Sequence, residues 1–308
     1  MLDLERLRAL HSVATYGSVS AAADVLHVTT SAVSQQLAKL ERETGQKLLE
    51  RNGRGVRLTD AAELLVAHAG RILSLVEQAQ ADLEAHRGSV VGQLTIAAFP
   101  TGIRGLMPAA LRALRAEHPD LRVQLLEEDP LRSMPLVSRG DFDMALVQDW
   151  DNEPLPLPEG LHKGVICHDV ADVALPSTHP LAGRETIDLK ELAGDPWISS
   201  SPDSICCDWL LRTLRAIDSE PNIDHMAYEF ATQLSLVAVG LGNAILPRLG
   251  RCDVPPGVVI VPLSAPLSRR VYAVWREEAA RRPAIRAAIT AMRAAVPADV
   301  PSVVAISH

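Results

Sequence analysis

Ser18–Gly45, SVSAAADVLHVTTSAVSQQLAKLERETG, decides the reading of this chain, because it patterns as two short helices joined by a tight turn. Ala21, Ala22, Val25 and Leu26 recur at helical spacing and give a first helix its buried face, with Ser18 placed after Gly17 to cap it. His27 and Val28 break the pattern. Thr29, Thr30 and Ser31 bring hydroxyls to the start of a second helix, whose Val33, Leu37 and Leu40 face inward at three-to-four spacing. That leaves Thr30, Ser31, Ser34, Gln35 and Lys39 outward. Short polar side chains on the first turns of a helix reach base edges and phosphates when the helix lies in the major groove. The same residue types also suit an ordinary capped helix with a solvated face.

Before this stretch, Leu4, Leu7, Leu10, Val13 and Ala14 mark a helix over 3–15 that Gly17 ends. After it, Gly45 is a stop, and GQKLLERNGRGVRLT reads as a strand, a turn at 52–55 and a second strand. Arg51, Arg54 and Arg57 project from that hairpin, where a guanidinium suits a phosphate backbone or a minor groove. Thr59–Arg87 contains no Pro and a single Gly, so one helix of about 29 residues, roughly 43 Å long, is expected. It carries a heptad, with Ala62, Ala69, Val76 and Leu83 at one position and Leu65, Ile72 and Ala79 at the other.

From Gly92 onward strands and helices alternate, the mark of an α/β architecture with a mainly parallel sheet. The simplest layout is two lobes, with crossovers near Lys163 and Pro266. Ligands in such sheets lie beyond the carboxyl ends of the strands. Three loops qualify. Phe99-Pro100-Thr101-Gly102 leads into a helix, and its amides and the Thr101 hydroxyl suit a carboxylate or other anion. Ser199-Ser200-Ser201 precedes a helix expected over 203–217, and Thr232 and Gln233 open a third helix over 232–240.

Residues 4–62 resemble the N-terminal segment of LysR-type transcriptional regulators. The match runs through Leu7, Leu10, Gly17-Ser18, Ala21-Ala22, Ala32-Val33-Ser34, Leu40-Glu41, Gly45, Leu48-Leu49, Arg51 and Leu58-Thr59. Leu49 stands where the family usually has Phe, and Ala62 where it usually has Gly. Further on, Gly140–Ala145, His179–Ala182 and Gly240–Pro247 resemble the family's effector domain, itself like a periplasmic solute-binding protein. The resemblance implies a winged helix-turn-helix domain (1–58), a linker and dimerisation helix (59–88) and an effector-binding domain (92–308). Lobe I would hold 92–164 and 266–296, and lobe II 165–265. It also implies that Pro100, Thr101, Gly102, Ser200, Ser201 and Thr232 face one another across the interlobe cleft, with Gln148 at the end of the third strand. A homodimer or homotetramer on a pseudo-palindromic double-stranded DNA site is implied as well.

Composition sets limits on the rivals. The net charge of −8 divides into +2 over 1–58 and −10 over the remainder, so the acidic excess sits away from the expected DNA contact. Aromatics at 3% leave little for stacking single-stranded bases. No apolar run reaches the roughly 20 residues that span a bilayer, and MLDLERLR does not read as a signal peptide, so a cytoplasmic protein is expected. Cys167, Cys206, Cys207 and Cys252 are too scattered for a disulfide scaffold, and no His joins them at zinc spacing. Cys206-Cys207 leaves one alternative open, a thiol-based redox sensor. The Ser run lacks a nucleophile elbow and Gly240-Leu241-Gly242 lacks a phosphate-cradling pattern, so neither an enzyme nor a cofactor is expected.

Overall fold

The computed structural model describes residues 2–26, 28–52, 55–202 and 204–300, with the backbone alone at 51, 52, 55 and 87. The chain divides into two compact units, 1–87 and 88–308.

In the first unit α1 (Leu4–Tyr16) starts at Asp3, whose carboxylate accepts the Glu5 and Arg6 N–H groups, and stops at Gly17 with φ +73°. α2 (Val19–Val25) is capped by Ser18 and α3 (Thr30–Thr44) by Thr29, each hydroxyl accepting an N–H of the first turn. β1 (Leu49–Asn52) and β2 (Gly55–Leu58) pair antiparallel as a wing, and α4 (Asp60–Arg87) follows. Leu7, Leu10, Val13, Ala22, Val33, Leu37, Leu40 and Leu48 form the core, joined by Ala62 and Ala69. Leu65 and Ile72 pack against it too. The first half of the expected heptad seam is therefore spent inside the unit, because the head needs a fourth helix to close its core. What α4 leaves exposed is Leu83 of the expected seam, together with Leu64 and Leu75 outside it, each about two-thirds accessible.

The second unit runs β3 (Gly92–Ala98), α5 (Pro100–Gly105), α6 (Met107–Glu117), β4 (Leu121–Glu127), α7 (Pro130–Arg139), β5 (Met144–Trp150) and β6 (Leu161–Pro176). It continues with β7 (Pro196–Ser199), α8 (Ile205–Arg215), β8 (Asn222–Met226), α9 (Phe230–Ala238), β9 (Ala244–Pro247), β10 (Val258–Val261), β11 (Leu267–Arg276) and α10 (Pro283–Ala294). Among the described residues the main sheet has the order β10-β6-β11-β5-β3-β4, with β9 also on β6. Among the strand pairs of the described residues, β3 with β4 and with β5, and the separate pair β7 and β8, are the parallel ones. The expected mainly parallel sheet is thus corrected to a mixed one. The reason lies in β6 and β11. Lys163 lies within β6 and Pro266 precedes β11, so each expected crossover is a long strand, and the two pair antiparallel from Leu161↔Arg276 to Ala171↔Leu267.

Boundaries moved in one place that matters. α9 begins at Phe230, two residues before the expected start at Thr232. Thr232 then falls on the outer face and is exposed, while Gln233 turns inward and is buried. Among the described residues no helix is long and apolar enough to cross a membrane, and no group of three His, Cys, Asp or Glu is placed to hold a metal ion.

Candidate functional site

Two polar surfaces were expected, and the helix-turn-helix is the simpler. Val33, Leu37 and Leu40 anchor α3 against α1 and α2, which fixes its opposite face outward. Thr30, Ser31, Ser34, Gln35 and Lys39 all lie exposed on that outward side. Ser34 Oγ donates to the Thr30 carbonyl at 2.8 Å, which leaves its lone pairs free to accept. Arg54 lies outside the described residues, as does the side chain of Arg51.

Glu41 was not singled out from the sequence as a working residue, although it stands in the Leu40-Glu41 pair. It ties the wing to α3: its carboxylate accepts the Leu48 N–H at 2.9 Å, the Leu49 N–H at 3.4 Å and Lys47 Nζ at 3.0 Å. Burial pushes this carboxyl up, but the Leu48 N–H, Lys47 and the Leu49 N–H outweigh it and hold its pKa below the usual glutamate value.

The second surface is a cleft in the α/β unit, about 430 Å³ of space counted together with the solvent at its open side. Of the residues expected there, Pro100, Thr101, Gln148 and Ser200 line it together, and Ser201 lines an adjoining outer cleft. Gly102 is packed beneath: a Cβ there would meet Leu146 Cδ2 at 2.7 Å and Phe99 Cζ at 2.9 Å. Thr232 is not in the lining, for the reason given by α9. The remaining wall comes from Phe99, Asp129, Pro130, Ser204, Cys206, Tyr228, Phe230 and Arg269.

Arg269 is the centre of this arrangement. It sits on β11 across from Asp169 on β6, and both side chains are fully buried. Asp169 Oδ2 accepts from Arg269 Nε at 2.8 Å and is 2.7 Å from Nη2, while Oδ1 accepts the Val170 and Leu249 N–H groups. The guanidinium also donates to Gln148 Oε1 and, at 3.0 Å, to Thr101 Oγ1. Thr101 Oγ1 is therefore an acceptor toward its own protein, and its proton is free to point into the cleft. Ser200 is arranged alike, for its Oγ accepts from Gln233 Nε2 at 3.4 Å.

Charge is balanced on the floor and negative at the mouth. Asp169 offsets Arg269, whereas Glu127, Glu128 and Asp129 line the outer cleft against Arg132 alone. Burial, with Glu128 beside it, pushes the Asp129 carboxyl above its usual value despite the Leu131 N–H that it accepts. Cys206 Sγ accepts from Gln148 Nε2 at 3.4 Å, and burial pushes its thiol up to about 11.

Comparison with known proteins finds a match for each of the two units. Residues 4–63 match the model of the bacterial regulatory helix-turn-helix protein, lysR family, and residues 87–297 that of the LysR substrate binding domain. The chain is 31% identical over 297 residues to the probable HTH-type transcriptional regulator LrrA of Synechococcus elongatus, covering 96% of this chain and 98% of that one. It is 31% identical to the uncharacterized HTH-type transcriptional regulator YnfL of Escherichia coli, covering 80% and 82%. Among solved structures, a cysteine mutant of OxyR from Corynebacterium glutamicum with bound H2O2 is 25% identical with a TM-score of 0.61, covering 95% of this chain and 92% of that one. Full-length CbnR in complex with its target DNA shares the fold, at 22% identity and a TM-score of 0.55, covering 96% and 100%.

Proposed function

The chain belongs to the LysR family of transcriptional regulators, which join a helix-turn-helix DNA-binding head to an effector-binding domain, and from that premise we propose which residues read DNA and what the cleft takes. Thr30, Ser31, Ser34, Gln35 and Lys39 enter the major groove, and Arg51 and Arg54 on the wing meet phosphates. Two copies present their α3 helices to a pseudo-palindromic site in the cytoplasm. What supports this is that five polar side chains share the exposed side of a helix whose other side is core.

The cleft takes a small molecule that presents a hydrogen-bond acceptor to Thr101 and Ser200. One observation carries this: each hydroxyl is held as an acceptor from behind, so each donates forward. Because Asp169 cancels the charge of Arg269 and the mouth is acidic, the effector is neutral or singly anionic rather than a polyanion. Its binding shifts the populations of lobe arrangements, and α4 carries the shift to the head. Thr101→Val tests the cleft. The parent should change its DNA affinity when effector is added, while the variant should bind DNA equally without effector and fail to respond. A variant that responds like the parent removes Thr101 from the site.

A second reading, redox sensing through Cys206 or Cys207, is favoured by the place of Cys206 in the cleft wall and by the likeness to OxyR. Against it stands the half-buried Cys206 thiol, whose pKa is pushed up to about 11, so at neutral pH it holds its proton and is a poor nucleophile. Peroxide should leave DNA binding unchanged. A response that vanishes in the Cys206→Ser, Cys207→Ser double variant would reverse the choice.

A further inference from the structure

Behind the cleft lies a narrower chamber lined by Trp150, Ser199, Trp209, Leu210 and Ile245, and it opens to the cleft past Ser200, Cys206 and Phe230, which line both. Apart from Ser200 and Gln233, which bond to each other, its walls are mostly apolar, and Trp150 stacks on Trp209 with ring centroids 3.7 Å apart. Two further polar groups have no such partner. The Ser199 hydroxyl, on a residue 2% exposed, has no hydrogen-bond partner. The Trp150 indole N–H, on a residue 1% exposed, faces only the weakly accepting Cys206 sulfur. Buried donors without acceptors are rare because each has given up its water for nothing. Both donors border the same chamber, and its free space suits a group about the size of one water molecule.

We infer that this chamber is the inner subsite of the effector cleft and takes an oxygen-bearing end group, a hydroxyl or carbonyl, that accepts from Ser199 Oγ and Trp150 Nε1. The inference rests on the cleft reading above. The effector is then a short molecule with acceptors at both ends: one end meets Thr101 and Ser200, and the other passes Cys206 to reach Ser199. The apolar walls hold the segment between them and reject a charged end, since nothing in the chamber would neutralise it.

The test uses the full chain and two matched sets of short-chain carboxylates, one ending in methyl and one ending in hydroxyl or carbonyl. Binding is followed by thermal stabilisation and by the fluorescence of the Trp150–Trp209 stack. The parent should bind oxygen-ended members about tenfold more tightly than their methyl-ended counterparts, the gain from satisfying a buried donor. Ser199→Ala should lose that preference while melting no lower than the parent, since it removes a hydroxyl that bonds to nothing. If compounds bind but the preference is absent, or survives in Ser199→Ala, the inner subsite is wrong and the cleft stands. A lower melting temperature for the variant also overturns it, as does a crystal structure with an oxygen-ended member bound and only water in the chamber. If no member of either set binds the parent, the cleft reading itself fails and takes the inference with it.

Discussion

The head and the cleft expose polar chemistry in opposite ways. In the head the reading groups stand in solvent within ten residues of one helix, and the core beneath them is leucine, valine and alanine. In the cleft the polar groups come from separated segments and hold one another in place: Thr101, Gln148 and Asp169 all bond to a single fully buried Arg269. The consequence is a difference in coupling. A reading residue of the head can change without touching stability, whereas the polar floor of the cleft is part of what keeps its unit folded.

Substitutions can break that contrast, and the largest effect is expected at Asp169. Asp169→Ala strands a buried guanidinium and should cost about 3–5 kcal/mol. Urea unfolding followed by tryptophan fluorescence measures it, because all four Trp lie within 88–308. A loss below about 1 kcal/mol would mean that the floor is not coupled to the fold. Next comes Leu40→Ala in the head core, where about 2–5 kcal/mol should be lost and amide exchange across α1 to α3 should quicken. A smaller effect is expected at Gln35: replacement by Ala should cost about 1–3 kcal/mol of discrimination between duplexes and shift stability by no more than about 0.5 kcal/mol. Matched losses of stability and discrimination would erase the contrast.

The smallest effect concerns pH. Glu41 has a folded pKa held below 4.5, so its bonds to the wing stabilise the head above that value and are lost as pH falls through the folded pKa. With Lys47 exposed, the contribution should stay under about 1 kcal/mol. An acid titration of the parent should show this loss below pH 4.5, and Glu41→Gln should lack it. Equal acid sensitivity in the two would detach Glu41 from the wing.

The head was largely legible because its information is local. Capping hydroxyls at Ser18 and Thr29, stops at Gly17 and Gly45, and the spacing of Val33, Leu37 and Leu40 all act within a turn or two of helix. The heptad on α4 was only half legible for the same reason, since periodicity marks an apolar face without naming what covers it, and Ala62, Leu65, Ala69 and Ile72 pack within the head. In the cleft, loops after strands pointed to Thr101 and Ser200. Arg269 stayed hidden, because its partner Asp169 is 100 residues away and nothing in SRRV distinguishes a buried arginine from a solvated one. The pair Thr232 and Gln233 shows how little separates success from failure: with α9 starting two residues earlier, Gln233 is buried and Thr232 is left exposed.

The central claim is that the outward side chains of α3 read duplex DNA. Selection of bound duplexes from a random pool by the full chain, sequenced for the parent and for Gln35→Ala, addresses it most directly. The parent should enrich an inverted repeat, and the variant should enrich the same repeat with relaxed choice at one symmetric pair of positions. A pool that stays random for the parent, or a variant motif identical to the parent's, would contradict it.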